Sequence, residues 1–293
     1  MSEAQSPAAR IAAEFAESRI AAAGMIVLAA IVLLAVFAPW VSPQNPYDLA
    51  ALDILDSRLA PGSRSMSGMT YWLGTDDQGR DLLSAIFYGL RISIAVATLA
   101  TVLAVLLGTA VGLAAGYFGG ALDAVLMRIV DIQLSFPAIL IALILLAVLG
   151  QGVDKVVVAL LAVQWAYYAR TVRGVALTER GKEYMQAAMC LMLPTRRIVF
   201  RHLLPNCMPP LIVVATVQVA RAIALEATLS FLGLGMPITQ PSLGLLIANG
   251  FNYLLSGKYW VSFFPGVALV VTIVSINLVG DRLRDVLNPR LQK

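Results

Sequence analysis

Six apolar runs, each near the length that crosses a bilayer, constrain this chain more than any other feature. A helix needs about 20 predominantly apolar residues to span a hydrocarbon core of roughly 30 Å. The runs cover Ile20 to Trp40, Leu90 to Tyr117, Ala121 to Gly150, Val156 to Tyr168, Met208 to Leu234 and Trp260 to Gly280. Pro137 predicts a bend in the third. The fourth reaches spanning length only if Lys155 and Arg170 snorkel at its two ends. At 59% hydrophobic and 13% charged residues, the chain lies far from a soluble domain. The expectation is an all-α integral membrane protein with six transmembrane helices. The first run exceeds the about 7–15 apolar residues of a secretory signal and has no small-x-small cleavage site, so it reads as a retained span.

Basic residues set the orientation, because Lys and Arg stay on the cytoplasmic side. With the N-terminus inside, that side holds Arg10, Arg19, a basic island including Arg170, Arg173, Arg180, Lys182, Arg196, Arg197 and Arg201, and the tail residues Arg282, Arg284, Arg290 and Lys293. Fewer fall outside. The expected layout is a cytoplasmic segment 1–19, a first span 20–40, an external loop 41–89, a five-helix core 90–281 interrupted by a cytoplasmic loop 179–206, and a tail 282–293. Both termini are expected on the cytoplasmic side of the membrane. The basic residues sit beside apolar runs rather than among aromatics along a surface, which argues against nucleic acid. Cys190 and Cys207 fall in or next to the island, so no structural disulfide is expected.

The external loop ends in Thr75-Asp76-Asp77-Gln78-Gly79-Arg80-Asp81. Thr75 is placed to cap a helix while Gln78 reaches back. The acidic cluster lacks the spacing and distal Glu of a calcium loop, so a helix start is the better reading. In the second run Gly108, Gly112 and Gly116 recur every fourth residue, which strips one helix face for close packing. Ionisable residues inside the spans are functional candidates. Arg128 and Asp131, at i and i+3, can pair near the membrane interface. Arg221 and Glu226, five apart, do not share a face; each has a partner elsewhere or faces an aqueous cavity. Arg221, Glu226 and Asp131 are the candidates for a translocation pathway.

No catalytic constellation emerges, and there is no G-x-x-x-x-G-K-[ST] phosphate loop. If transport is ATP-driven, ATP and Mg bind a separate chain; this one is not an enzyme, and neither cofactor nor metal is expected on it.

The island, Glu179 to Asn206, reads as two short helices with a break. Met185, Ala188, Met189 and Met192 share one face, with Glu183 and Gln186 on another. Pro194 suits the start of a second helix to about Leu203, with Arg197 and Arg201 stacked and Pro205 ending it. A Met-rich amphipathic face suits docking into a groove.

Here the sequence resembles the permease subunits of ATP-binding-cassette importers, specifically the second permease of dipeptide, oligopeptide and nickel systems. Their cytoplasmic E-A-A-x-x-x-G, followed after nine residues by I-x-L-P, falls on Gln186-Ala187-Ala188, Met192, His202 and Leu204-Pro205. Leu73 to Asp81, Ala115 to Gly120, Arg201 to Asn206, Glu226 to Gly235 and Gly280 to Asp285 resemble that subfamily as well, so the likeness covers nearly the whole chain. Two departures stand out: Gln186 replaces Glu and Met192 replaces Gly. The resemblance implies a type I importer permease fold that forms half of a peptide pathway. Its partners would be a second homologous permease, one or two ATPase subunits and an external solute-binding protein. The ATPase would be engaged through Glu183, Gln186, Ala187, Ala188, Met192, Pro194, Arg197, Arg201, Leu204 and Pro205. Nickel, glutathione or opine uptake by the same machinery is the alternative, and an ion-gradient-driven secondary transporter is the rival class.

Overall fold

The computed structural model describes residues 13–48, 52–65 and 68–287. It is built of helices: α1 (Arg19–Val36), α2 (Leu82–Phe118), α3 (Gly120–Ser135), α4 (Ala138–Leu149), α5 (Val153–Arg180), α6 (Glu183–Cys190), α7 (Leu204–Phe231), α8 (Leu243–Phe251) and α9 (Trp260–Leu287). A two-stranded antiparallel ladder, Ser63–Arg64 with Thr70–Tyr71, sits in the segment between α1 and α2.

Four helical runs are long and apolar enough to cross a membrane: α1, α2, the run Thr195–Phe231 that contains α7, and α9. The pair α3 and α4 makes a fifth if counted as one span. It is bent by 90° at the Phe136-Pro137 break, a far sharper turn than a kink. Pro137 takes the N-cap position of α4, where its missing N–H is not needed. The fourth predicted crossing, Val156 to Tyr168, is only part of α5. That helix runs 28 residues to Arg180, about 42 Å at 1.5 Å per residue. Its composition alone does not mark it as a span, because it carries Asp154, Lys155, Arg170, Arg173, Glu179 and Arg180. It is instead walled in by protein, with Val156, Leu160, Val163, Ala166, Ala169, Val172 and Ala176 buried. A helix covered by neighbours need not be apolar all round.

The helix of the second predicted span starts at Leu82, ahead of its apolar run, and its cap is Asp81, not the expected Thr75. Asp81 Oδ2 accepts from the Ser84 amide at 2.9 Å and the Ser84 hydroxyl at 2.6 Å. Burial pushes its carboxyl above the usual carboxylate range, against those donors. Thr75 is spent elsewhere: its hydroxyl donates to the Asp56 carbonyl at 2.5 Å and accepts from the Leu59 amide at 2.7 Å. Asp76 accepts from the Arg80 amide at 2.9 Å and from Arg80 Nε at 2.6 Å, both side chains fully buried. Arg80 Nη1 reaches across to the Ile238 carbonyl at 3.3 Å, tying this segment to the α7–α8 connector.

The glycine stripe performs the packing that its spacing predicts. A Cβ on Gly112 would lie 2.6 Å from the Ala169 carbonyl, one on Gly116 2.6 Å from Ala176 Cβ, and one on Gly108 would strike the Trp165 carbonyl. All three face α5. Around this contact lie two apolar cores. One is centred on Val96, Leu146, Leu160 and Ile223, and the other, nearer the island, on Tyr168, Met185, Leu203 and Leu211.

Candidate functional site

The island is anchored by its buried residues and presents the others. Met185 is fully buried and Ala188 nearly so, both in the core with Val172, Ala176, Ile198 and Leu203. The expected docking face is therefore corrected: Met185 and Ala188 hold α6 down. What faces outward is Glu183, Gln186, Ala187, Met189, Leu191 and Met192. Met192 is 91% exposed and Leu191 73%.

Met192 has φ 51°, in the left-handed region. Its amide donates to the Met189 carbonyl at 2.9 Å and the Leu193 amide to the Ala188 carbonyl at 3.2 Å. These two bonds form the pattern of a Schellman cap, which usually places Gly at this position. Gln186 has a structural use of its own, since Nε2 donates to the Gly181 carbonyl at 3.3 Å. An ionised Glu could not.

Pro194 caps the helical turn Thr195–Arg197, which passes into π-helical Ile198–Leu203 and then directly into α7. Pro205 does not end the helix, as its type and position predict; it stands in the first turn of α7. The wider turn explains this: the Leu204 amide bonds back to the Val199 carbonyl, and Pro205 follows where the i−4 ladder is already relaxed. Arg197 and Arg201 are exposed on this segment, as is Pro205, while Leu204 is half-buried.

A polar tie missed from sequence joins the parts. Glu179, on the last turn of α5, accepts from Lys182 Nζ at 2.6 Å and from the Tyr184 hydroxyl at 2.7 Å. Asn206 Nδ2 donates to the Tyr184 oxygen at 3.1 Å and to the His202 carbonyl at 2.6 Å. Burial and the Glu179 carboxylate push the Tyr184 phenol up to about 12. The ends of α5, α6 and α7 are thus joined through the Tyr184 hydroxyl, which donates to Glu179 and accepts from Asn206. Polar residues at fixed sequence distances gave no signal of it, because the contact depends on how three helices converge.

The charged groups in the spans pair differently from expectation. Asp131 pairs with Arg170, not Arg128, and both partners are more than half exposed. Asp123 pairs with Arg173 at 2.6 Å. Helix α3 runs beside α5, so the carboxylates find cations across the interface rather than one turn along. Arg128 is exposed and forms no ion pair among the described residues.

Arg221 and Glu226 are separated, as their spacing requires. Glu226 is fully buried. Ser93 Oγ donates to it at 2.7 Å, Ser230 Oγ at 2.8 Å, and the Ser242 hydroxyl also reaches it. It knots α2, α7 and the start of α8. Arg221 lines a cavity of about 1210 Å³ between α3, α5, α7 and α9, which runs from Lys182, Asn206 and Arg284 at the island to Gln218 and Arg221.

Comparison with known proteins gives this architecture a family. Residues 108–293 match the model of the binding-protein-dependent transport system inner membrane component, and residues 6–61 match the N-terminal TM domain of oligopeptide transport permease C. The dipeptide transport system permease protein DppC of Escherichia coli K12 is 39% identical over 95% of this chain and 92% of its own. The oligopeptide transport system permease protein OppC of Bacillus subtilis is 37% identical over 95% of this chain and 88% of its own. Among solved structures, an inward-facing form of the MetNI methionine ABC transporter shares the fold at TM-score 0.58 and 21% identity, covering 71% of this chain and 98% of that one. With the matched model spanning more than half its length and relatives of this similarity, the chain belongs to the family of binding-protein-dependent transport system inner membrane components.

Proposed function

We propose that this chain is the peptide-conducting permease subunit of an ATP-driven importer, one half of the pathway, coupled to a separate ATPase through α6 and the turn at Met192. The arrangement of α6 carries the reading. A short helix is pinned by Met185 and Ala188, closed by a Schellman turn, and offers an apolar and polar outer face at the end of two long helices. A surface of exposed Met and Leu beside Gln186 and Glu183 suits a groove on another protein. Peptide is the cargo because the similar E. coli and B. subtilis proteins are named for dipeptide and oligopeptide transport.

In this reading α1, α2, the α3–α4 pair, α5, the Thr195–Phe231 run and α9 are six crossings. Both chain ends and the island lie in the cytoplasm, and the Arg80-containing segment lies outside, toward a solute-binding protein. A second permease completes the pathway, one or two ATPase subunits hold ATP and Mg, and this chain holds neither. Of the three pathway candidates, Arg221 is the one on a cavity wall; Asp131 acts in an ion pair with Arg170 and Glu226 in a buried knot.

Ala187→Asp is the sharper test, since Ala187 is exposed whereas a change at buried Ala188 would disturb the fold. In proteoliposomes holding the complete complex, this variant lowers binding-protein-dependent, ATP-dependent peptide uptake by about tenfold or more, as expected of a change in the centre of an interface. Native uptake by this variant, or uptake by the unaltered complex that survives ATP removal and collapses with an uncoupler, overturns the reading.

A further inference from the structure

Resting on the peptide-import reading, we infer that Arg221 is a receptor for the C-terminal carboxylate of a peptide in transit, at the deep end of the cavity between α3, α5, α7 and α9. Pro205, Pro209, Val213, Val217 and Arg221 all line it and recur every fourth residue, so they form one stripe that winds gradually around α7. Arg221 ends that stripe, roughly 22 Å along the helix axis from Asn206 at the island. The stripe is apolar until its last member.

Two lining cations have no ion pair among the described residues: Arg284, at the island end of the cavity, and Arg221, at the end within the span. Arg170 is neutralised by Asp131, and Lys182 by Glu179. Glu179, the carboxylate among the lining residues, is occupied by Lys182 and Tyr184. Arg221 has no ion pair among the described residues; its Nη1 has only Gln218 Oε1 at 3.5 Å. An arginine within an apolar span is held there at a cost that a water-filled cavity and an anionic guest offset. Its planar fork matches a carboxylate with two parallel hydrogen bonds. Gln218 lies one turn away on the same wall, and its Oε1 faces the guanidinium. The cavity volume, about 1210 Å³, accommodates a short peptide, given that small-ligand pockets run to roughly 1,000 Å³. Contact at a single carboxylate recognises what every peptide shares, while the rest of the wall mixes apolar residues with Tyr167, Thr171 and Asn206.

The test uses the complete complex in proteoliposomes, with binding protein outside, ATP on the ATPase side and radiolabelled trialanine as probe. Arg221→Gln lowers uptake about tenfold, the worth of a charged hydrogen-bonded pair, while Arg221→Lys, which keeps the charge but loses the two-pronged fork, falls between Arg221→Gln and the unaltered complex. A second pair of variants leaves Arg221 in place. Val217→Asp puts a carboxylate one turn before it to compete with the peptide, and uptake falls well below that of Val217→Asn. Uptake by Arg221→Gln equal to that of the unaltered complex, or by Val217→Asp equal to Val217→Asn, overturns the inference and leaves peptide import standing. Failure of the unaltered complex to take up trialanine or any longer peptide overturns the import reading itself. A defect seen only in vesicles containing phosphatidylglycerol, and absent in phosphatidylcholine, assigns Arg221 to a lipid headgroup and also overturns the inference.

Discussion

Met192 holds a left-handed backbone that its Cβ opposes, at roughly 1–2 kcal/mol. Its side chain gains nothing in return from its own fold, being 91% exposed. Met192→Gly therefore raises the stability of the purified complex by about 1 kcal/mol, read as a higher midpoint in thermal unfolding. If ATPase stimulation falls at the same time, the methionine is kept for what it touches in a partner. Glu226 gives the opposite case. Two serine hydroxyls donate to it in a fully buried site, so Glu226→Leu strands them, at roughly 1–3 kcal/mol each. Glu226→Gln still offers a carbonyl oxygen and is the milder change; equal loss of stability in the two variants would show that the hydroxyls have other partners.

At the scale of elements, what was legible in the sequence was local. The stripe of Gly108, Gly112 and Gly116 could be read because a four-residue period is a property of one helix, and the structure confirms that it packs. Gly112→Ala presses a methyl against the Ala169 carbonyl and costs about 1–3 kcal/mol as overpacking; thermal unfolding of the variant checks this. The charge partners were not legible. Arg128 and Asp131 satisfied the i, i+3 rule, yet Asp131 sits against Arg170 because α3 lies along α5, a fact of tertiary packing. Pro205 misled for a related reason. The rule that proline stops a helix assumes an α-helical ladder before it, and Ile198–Leu203 is π-helical. Thr75 lost the cap to Asp81 because its hydroxyl was claimed by Asp56 and Leu59, both more than a dozen residues away.

For the whole molecule, the buried Arg80–Asp76 pair is the clasp between the segment preceding α2 and the connector after α7. Arg80→Ala leaves Asp76 buried without its cation, and breaking such a pair costs about 3–5 kcal/mol. The double change Arg80→Leu with Asp76→Leu removes both charges and recovers part of the loss; unfolding midpoints of the two variants that coincide would refute the clasp. The same scale gives the glycine stripe a mechanical meaning. Because no α2 side chain stands between α2 and α5 at those three glycines, over about two turns, the two helices are held as one stiff beam rather than two sliding rods. A tilt of 5° applied at the α6 end of a beam about 42 Å long displaces its other end by roughly 4 Å. That end carries Gly152, whose amide bonds the Gly235 carbonyl of the α7–α8 connector at 3.2 Å. In the coupling proposed above, a small tilt at α6 reaches that bond through the beam, and the stiffness of the glycine contact sets how much of it arrives.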